Sequence, residues 1–258
     1  MSDPGGLSDG LFGGAAQAAG YAHARPKLHP LIVERLNRHV GRRFDRALDL
    51  GCGSGLSTAP LAAVAEDVVG MEPEFAMAAV AGGVAPEAGF AAGRTEALSF
   101  AGGAFDLITA AGSLNQVDLA AFSREAARVL RPNGLVWIYD FGPGREFSDS
   151  ERLASWWMEF EQRFPFPPWR ELTPGAIAAE ALDLQLRHEE SFAIPLELEW
   201  GFYVDYMMTE INVTAAIGRG DAAFDEVRAW CARSVEEVFE GRSREVVFRG
   251  YWAVFQAI

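Results

Sequence analysis

Three glycines in five residues, Gly51-Cys52-Gly53-Ser54-Gly55, stand directly after the short apolar run Ala47-Leu48-Asp49-Leu50. Glycine reaches left-handed backbone conformations at little cost, so this spacing predicts a strand that ends in a tight turn. The Ala-rich segment from Leu56 to Ala65 follows and reads as a helix. Strand, glycine turn and helix open a βαβ unit, because a parallel neighbour strand needs a crossover. Such a turn also lets a ligand approach the backbone without meeting side chains, which marks it as a cofactor cradle.

The alternation continues in both directions. Leu28, Leu31, Ile32, Leu36 and Val40 recur at helical spacing and predict a helix over Pro26 to Val40. Downstream, Asp67 to Met71 reads as strand, Pro73 to Ala81 as helix, Gly89 to Ala92 as a brief strand and Phe105 to Ala110 as a buried one. Asp118 is placed to cap a helix over Leu119 to Leu130, and Asn133-Gly134 turns the chain into a strand over Leu135 to Tyr139. The expected fold class is α/β, a doubly wound and mostly parallel sheet.

Beyond Gly142 the pattern breaks. Residues Phe141 to Gly175 mix Trp156, Trp157 and Trp169 with Pro165, Pro167 and Pro168, and read as a helical cap inserted after strand five. An extended run over Glu189 to Leu198, helical stretches over Phe202 to Ile217 and Ala222 to Phe239, and a last strand over Glu245 to Ala257 complete the order. Residues 1–20, rich in Gly and Ala, are expected to be a flexible lead-in. Residues 21–258 then form one domain, with a core over about 41–142 and the cap and C-terminal part over about 143–258.

Composition removes several function classes. The chain has 258 residues, with 36 acidic against 22 basic and a formal charge of −14, which on average repels phosphate backbones. No nucleic-acid partner is expected, and Arg38, Arg42 and Arg43 read as solvated helix-end residues. No apolar run approaches the roughly 20 residues that cross a bilayer. The stretch Met1 to Gly20 carries only Asp3 and Asp9 as charges, the wrong sign for a secretory leader. Two cysteines, Cys52 and Cys231, give no disulfide framework, and four histidines without a Cys/His cluster give no metal site. A cytoplasmic protein, monomeric or homodimeric, is the expectation.

The glycine loop itself narrows the ligand. A dinucleotide fingerprint wants a third glycine where Leu56 stands, and a phosphate-binding P-loop wants a lysine followed by Ser or Thr after Gly55. Neither is present. Ala47 to Gly55 resembles instead the first motif of class I S-adenosylmethionine-dependent methyltransferases, in particular the small-molecule group known as methyltransferase type 11. Val68 to Pro73, Gly93 to Phe100 with Phe105 to Ile108, and Ala126 to Gly134 resemble that group's later motifs in the same order. Upstream, Tyr21-Ala22-His23-Ala24-Arg25-Pro26 is similar to the group's entry segment, which closes over the methionine end of the cofactor. The resemblance implies a seven-stranded Rossmann-like sheet, S-adenosylmethionine as cofactor and a small-molecule methyl acceptor.

Site residues follow from the resemblance and from their own chemistry. Glu72, an acid at the tip of a second strand, suits the two ribose hydroxyls. Asp49 is placed to orient the loop or to hold water near the cofactor's amino group. Thr95 and Glu96 suit the adenine edge, with Pro73 or Phe75 against the ring. Gly51, Gly53, Ala111, Tyr21 and Arg25 complete the implied cofactor set. Two departures stand out: Arg94 and Ser99 where the group often has Asp and Pro, and Asn115-Gln116-Val117 where it frequently has His-Trp-Phe. The second lies near the transferred methyl, so the acceptor is not inherited, and a cofactor-binding domain without catalysis is the alternative. Aminopropyl transfer on the same fold lacks its paired acids here. Candidates for a base or orienting group are His23, Asn115 and Asp140, with His188 behind them. Trp156, Trp157, Trp169 and Tyr203 suit either an apolar acceptor pocket or core packing.

Overall fold

A computed structural model of the chain describes residues 15–258, with side chains described from residue 20 onward. Helices α1 (Ala15–Ala24) and α2 (His29–Val40) lead in. Strands β1 (Phe44–Leu50), β2 (Ala65–Met71), β3 (Gly89–Ala91), β4 (Phe105–Ala111) and β5 (Leu130–Phe141) pair in parallel in the order 3-2-1-4-5. Helices α3 (Phe75–Val84) and α4 (Leu119–Val129) connect them. Asp118 caps α4 as its position predicts, accepting from the N–H groups of Ala120 and Ala121.

After β5 come β6 (Glu146–Phe147), α5 (Arg152–Arg163), α6 (Pro174–Glu180) and the long strand β7 (Leu184–Leu198). Helices α7 (Trp200–Met207), α8 (Ile211–Gly218) and α9 (Phe224–Phe239) precede β8 (Arg244–Ala257). β8 runs antiparallel to β5 and β6 along one edge and to β7 along the other. That leaves β7 on the sheet's rim, where Pro195 removes no needed ladder bond.

The parallel strands are apolar on both faces because both are covered. Ala47, Leu107 and Trp137 face a core shared with α2 and the cap helices. Their neighbours Leu48, Ile108, Val136 and Ile138 face a second core against α4 and α6.

The sheet therefore follows the expected plan, with the two-residue β6 as an eighth member. Four local expectations change. Leu56 to Ala65 is not a helix: turns and a short 3-10 segment over Ala59–Ala63 replace it. The Ser57 and Thr58 hydroxyls bond the Asp49 carboxylate, which fixes these residues as turns rather than as the first turn of a regular helix. The stretch Phe202 to Ile217 is two helices broken at 208–210. The cap is divided, with α5 and α6 after β5 and α7 to α9 after β7. Of the lead-in expected to be flexible, residues 1–14 lie outside the described residues, whereas 15–20 are helical.

Candidate functional site

The carboxyl ends of β1, β2, β4 and β5 lie side by side, and the strand order reverses between β1 and β4. An open parallel sheet leaves a crevice at such a reversal. The glycine turn fills its floor. Gly51, Gly53 and Gly55 hold φ of 63°, 53° and 86°, conformations that favour glycine. A Cβ on Gly51 would stand 2.5 Å from Ser113 Cβ, and Ser113 Oγ donates to the Leu50 carbonyl at 2.7 Å. Ser113, which pattern reading did not single out, thus closes the turn from β4.

Asp49 anchors the turn from below. It is fully buried and accepts from Ser57 Oγ at 2.7 Å, Thr58 Oγ1 at 2.7 Å and Thr109 Oγ1 at 2.8 Å. Burial pushes its carboxyl up, against these three donors. These bonds tie the carboxylate to the residues that follow the glycine turn and to β4.

Glu72 ends β2 and is 8% exposed. Its Oε2 accepts from the Gly53 N–H at 2.8 Å and its Oε1 from the Glu74 N–H at 3.0 Å. Burial pushes this carboxyl up, while those two N–H groups pull it down. Backbone donors fix the carboxylate beside the glycine turn and leave its other lone pairs for a ligand. Pro73 is exposed and Phe75 is 86% exposed at the start of α3, so Phe75 is not core. Thr95 is buried, and Glu96 stands 3.7 Å from the exposed Arg94 as an ion pair.

At the tip of β4, Ala111 is half-buried and Gly112 turns with φ 61°. Asn115 Nδ2 donates to the Arg170 carbonyl at 2.9 Å, so this departure from the family pattern pins the segment between α5 and α6 over the strand ends. Asp140 closes β5 from the other side, its Oδ1 accepting from the Phe141 N–H at 2.8 Å. Burial raises its carboxyl to about 6, and the Phe141 N–H, the Asn115 amide and Arg25 hold it from going higher. Gly112, Ser113, Leu114, Asn115, Asp140, Leu172 and Tyr251 line a narrow cleft there.

Arg25 follows directly on α1. Its Nη1 donates to Glu210 Oε1 at 2.6 Å and to Thr209 Oγ1 at 3.3 Å, and its guanidinium carbon lies 4.6 Å from the Tyr21 ring. His29, also not anticipated, shares a 2.9 Å hydrogen bond with the Tyr139 hydroxyl through Nδ1. Burial first, and Arg25 second, lower its imidazole to about 3, which makes it neutral at ordinary pH.

The remaining histidine candidates stand elsewhere. His23 is on the exposed side of α1. His188 stacks on His39, ring centroids 4.0 Å apart, in register with Val254 and so level with Trp137 rather than with the strand tip at Phe141. Four residues of strand separate it from the crevice, roughly 13 Å. Trp156, Trp157 and Tyr203 are buried in the core, and Trp169 is 48% exposed on the segment that Asn115 pins. Among the described residues, no three His, Cys, Asp or Glu side chains converge on a metal position, and no helix is long and apolar enough to cross a membrane.

Residues 48–138 match the family described as a methyltransferase domain. A ubiquinone biosynthesis O-methyltransferase of Azorhizobium caulinodans is 38% identical over 98 residues, which is 36% of this chain and 39% of that protein. A demethylmenaquinone methyltransferase of Beutenbergia cavernae is 33% identical over 141 residues, 54% of each chain. The chain thus spans about half the length, or less, of the curated relatives it matches. Among solved structures, that of a type II methyltransferase candidate from Anaeromyxobacter dehalogenans covers 86% of this chain and 94% of its own, with TM-score 0.66 and 23% identity. That likeness is one of fold.

Proposed function

We propose that the chain is a class I S-adenosylmethionine-dependent methyltransferase, on the match of residues 48–138 to a methyltransferase domain family, and that it moves the cofactor's methyl group to an oxygen or nitrogen of a small organic acceptor. The observation that carries the reading is the Glu72 carboxylate, held at the tip of β2 against the Gly53 N–H, with the ring of Phe75 86% exposed three residues on. The residues present fit the cofactor. A Cβ on Gly53 would meet only Met77 Cε, at 3.4 Å, so the turn leaves room above it, and Phe75 offers an exposed ring for an adenine face. Glu72 holds the ribose hydroxyls, Thr95 and Glu96 the adenine edge, and Tyr21, Arg25 and the backbone at Ala111 the amino-acid end.

When bound, the cofactor supplies a sulfonium methyl that is already electrophilic. The chain's own work is to align the acceptor and exclude water. The pinned segment between α5 and α6 shuts the cleft beneath Leu172. Asp140 faces that cleft and, with a carboxyl near 6, is ionised at neutral pH, ready to accept the acceptor's proton. An oxygen acceptor fits this carboxylate, and one curated relative is an O-methyltransferase by name. The acidic chain, at −14, supports an acceptor other than nucleic acid.

Calorimetric titration of S-adenosylmethionine and S-adenosylhomocysteine, with NAD as the control ligand, tests the cofactor site. Wild type should bind both with micromolar affinity and ignore NAD, and Glu72→Ala should weaken binding by roughly 1.5–3 kcal/mol, the value of hydrogen bonds to a charged group. A well-folded wild type that binds neither sulfur nucleoside would remove the reading.

A further inference from the structure

Glu210 occupies the N-cap position of α8 and is 5% exposed. A side chain there is placed to accept from the free N–H groups of its own helix, and that of Glu210 does not. Its Oε1 accepts instead from Arg25 Nη1 at 2.6 Å, a residue 185 positions away in the chain. Thr209 Oγ1 accepts from the same nitrogen at 3.3 Å while donating to the Tyr206 carbonyl at 2.7 Å. The rings of Tyr21 and Tyr206 lie 4.6 and 4.9 Å from the guanidinium carbon.

Both polar contacts fall on one nitrogen. Among the described residues Nη2 and Nε of Arg25 make no hydrogen bond. These two N–H groups point the same way and form the side fork of a guanidinium, the edge that matches a carboxylate with two parallel hydrogen bonds. His29, four residues beyond Arg25, bonds the Tyr139 hydroxyl near the carboxyl end of β5 at 2.9 Å, which brings this stretch of chain to the crevice side of the sheet, and the charge of Arg25 is felt there by both His29 and Asp140.

We propose that Glu210 is a positioning residue for the cofactor: with Thr209 it takes Nη1 of Arg25 and so turns the Nε and Nη2 fork toward the carboxylate at the amino-acid end of S-adenosylmethionine. This rests on the cofactor reading above. Its cost is the unmade cap of α8, and its effect is to join the corner between α7 and α8, in the cap, to the ligand on the sheet. Cofactor binding and the ordering of that corner then favour one another.

Two probes separate this role from a merely structural one. S-adenosylhomocysteine carries the amino-acid end, and 5′-methylthioadenosine shares the adenosine and thioether but lacks it. Glu210→Gln should weaken the first about tenfold in calorimetry, as expected for a charge-assisted contact made less well, and leave the second within about twofold. Parallel losses for both probes, or no loss for either, would overturn the proposal. Should Glu210→Gln not fold, Glu210→Asp keeps the charge one methylene short and should give the same split. Wild type that binds neither probe, or binding indifferent to Glu72→Ala, would instead overturn the cofactor site itself.

Discussion

Asp140 is the residue whose protonation state matters most to the proposed reaction, since it lines the cleft where an acceptor's proton would be taken up. Its carboxyl is raised by burial to about 6 in the fold, from an ordinary value of 3.8. A raised carboxyl contributes stability that is complete below the unfolded value and is lost as pH rises through the folded one. Wild type should therefore lose stability relative to Asp140→Asn between about pH 4 and 6, by something on the order of 3 kcal/mol, in urea unfolding followed across that range. Parallel stability curves for the two proteins would show an ordinary surface acid and withdraw its proposed part in proton transfer. Methyl transfer should fall off below about pH 6 for the same reason. Single positions differed in how far the sequence exposed them. The glycine turn was legible because its backbone conformation is set by the residues of the turn itself. His29 with Tyr139 and Arg25 with Glu210 were not, because each pair joins partners more than 100 residues apart.

Among elements, the segment 164–173 between α5 and α6 decides access to the cleft. It is tied by Asn212 Nδ2 to the Phe164 carbonyl at 2.8 Å, by Asn115 Nδ2 to the Arg170 carbonyl at 2.9 Å and by Thr173, which caps α6. Asn115 is the tie nearest Asp140. Asn115→Ala should speed amide exchange around Trp169 and Arg170 by about 5- to 30-fold, as one lost hydrogen bond implies, and open Arg170 to trypsin. Global stability should change by less than about 1.5 kcal/mol. Unchanged exchange would mean that the buried Leu172 alone seats the segment. The strands were legible because a run that is apolar on both faces between turn residues has few other uses. The stretch after Gly55 misled because its apolar pattern is helical, whereas Ser57 and Thr58 spend their hydroxyls on Asp49 and fix a turn. The break at Thr209 and Glu210 was equally hidden, since the partner their side chains take there, Arg25, stands more than 180 residues away in the chain.

For the whole molecule, the question is whether sheet and cap are separate units. One cluster runs from Trp137 and Tyr139 on β5 through Trp156 and Trp157 on α5 to Tyr203 on α7 and Phe239 on α9. Trp157 Nε1 and the Tyr203 hydroxyl are 2.6 Å apart, and both donate to the Gly144 carbonyl, just after β5. β8, the last strand, is paired with both β5 of the parallel sheet and the rim strand β7. A cap without a core of its own cannot unfold first and leave the sheet intact, because the sheet would lose one of its two covers. Urea unfolding should then give coincident transitions by tryptophan fluorescence, most of it from the cap and β8, and by far-ultraviolet circular dichroism. S-adenosylhomocysteine at 100 times its Kd should shift both signals together, adding about 2.7 kcal/mol. Fluorescence that changes at lower urea than ellipticity, with only the later transition moved by ligand, would show the cap to be a separate unit and would break the link from Glu210 to the cofactor.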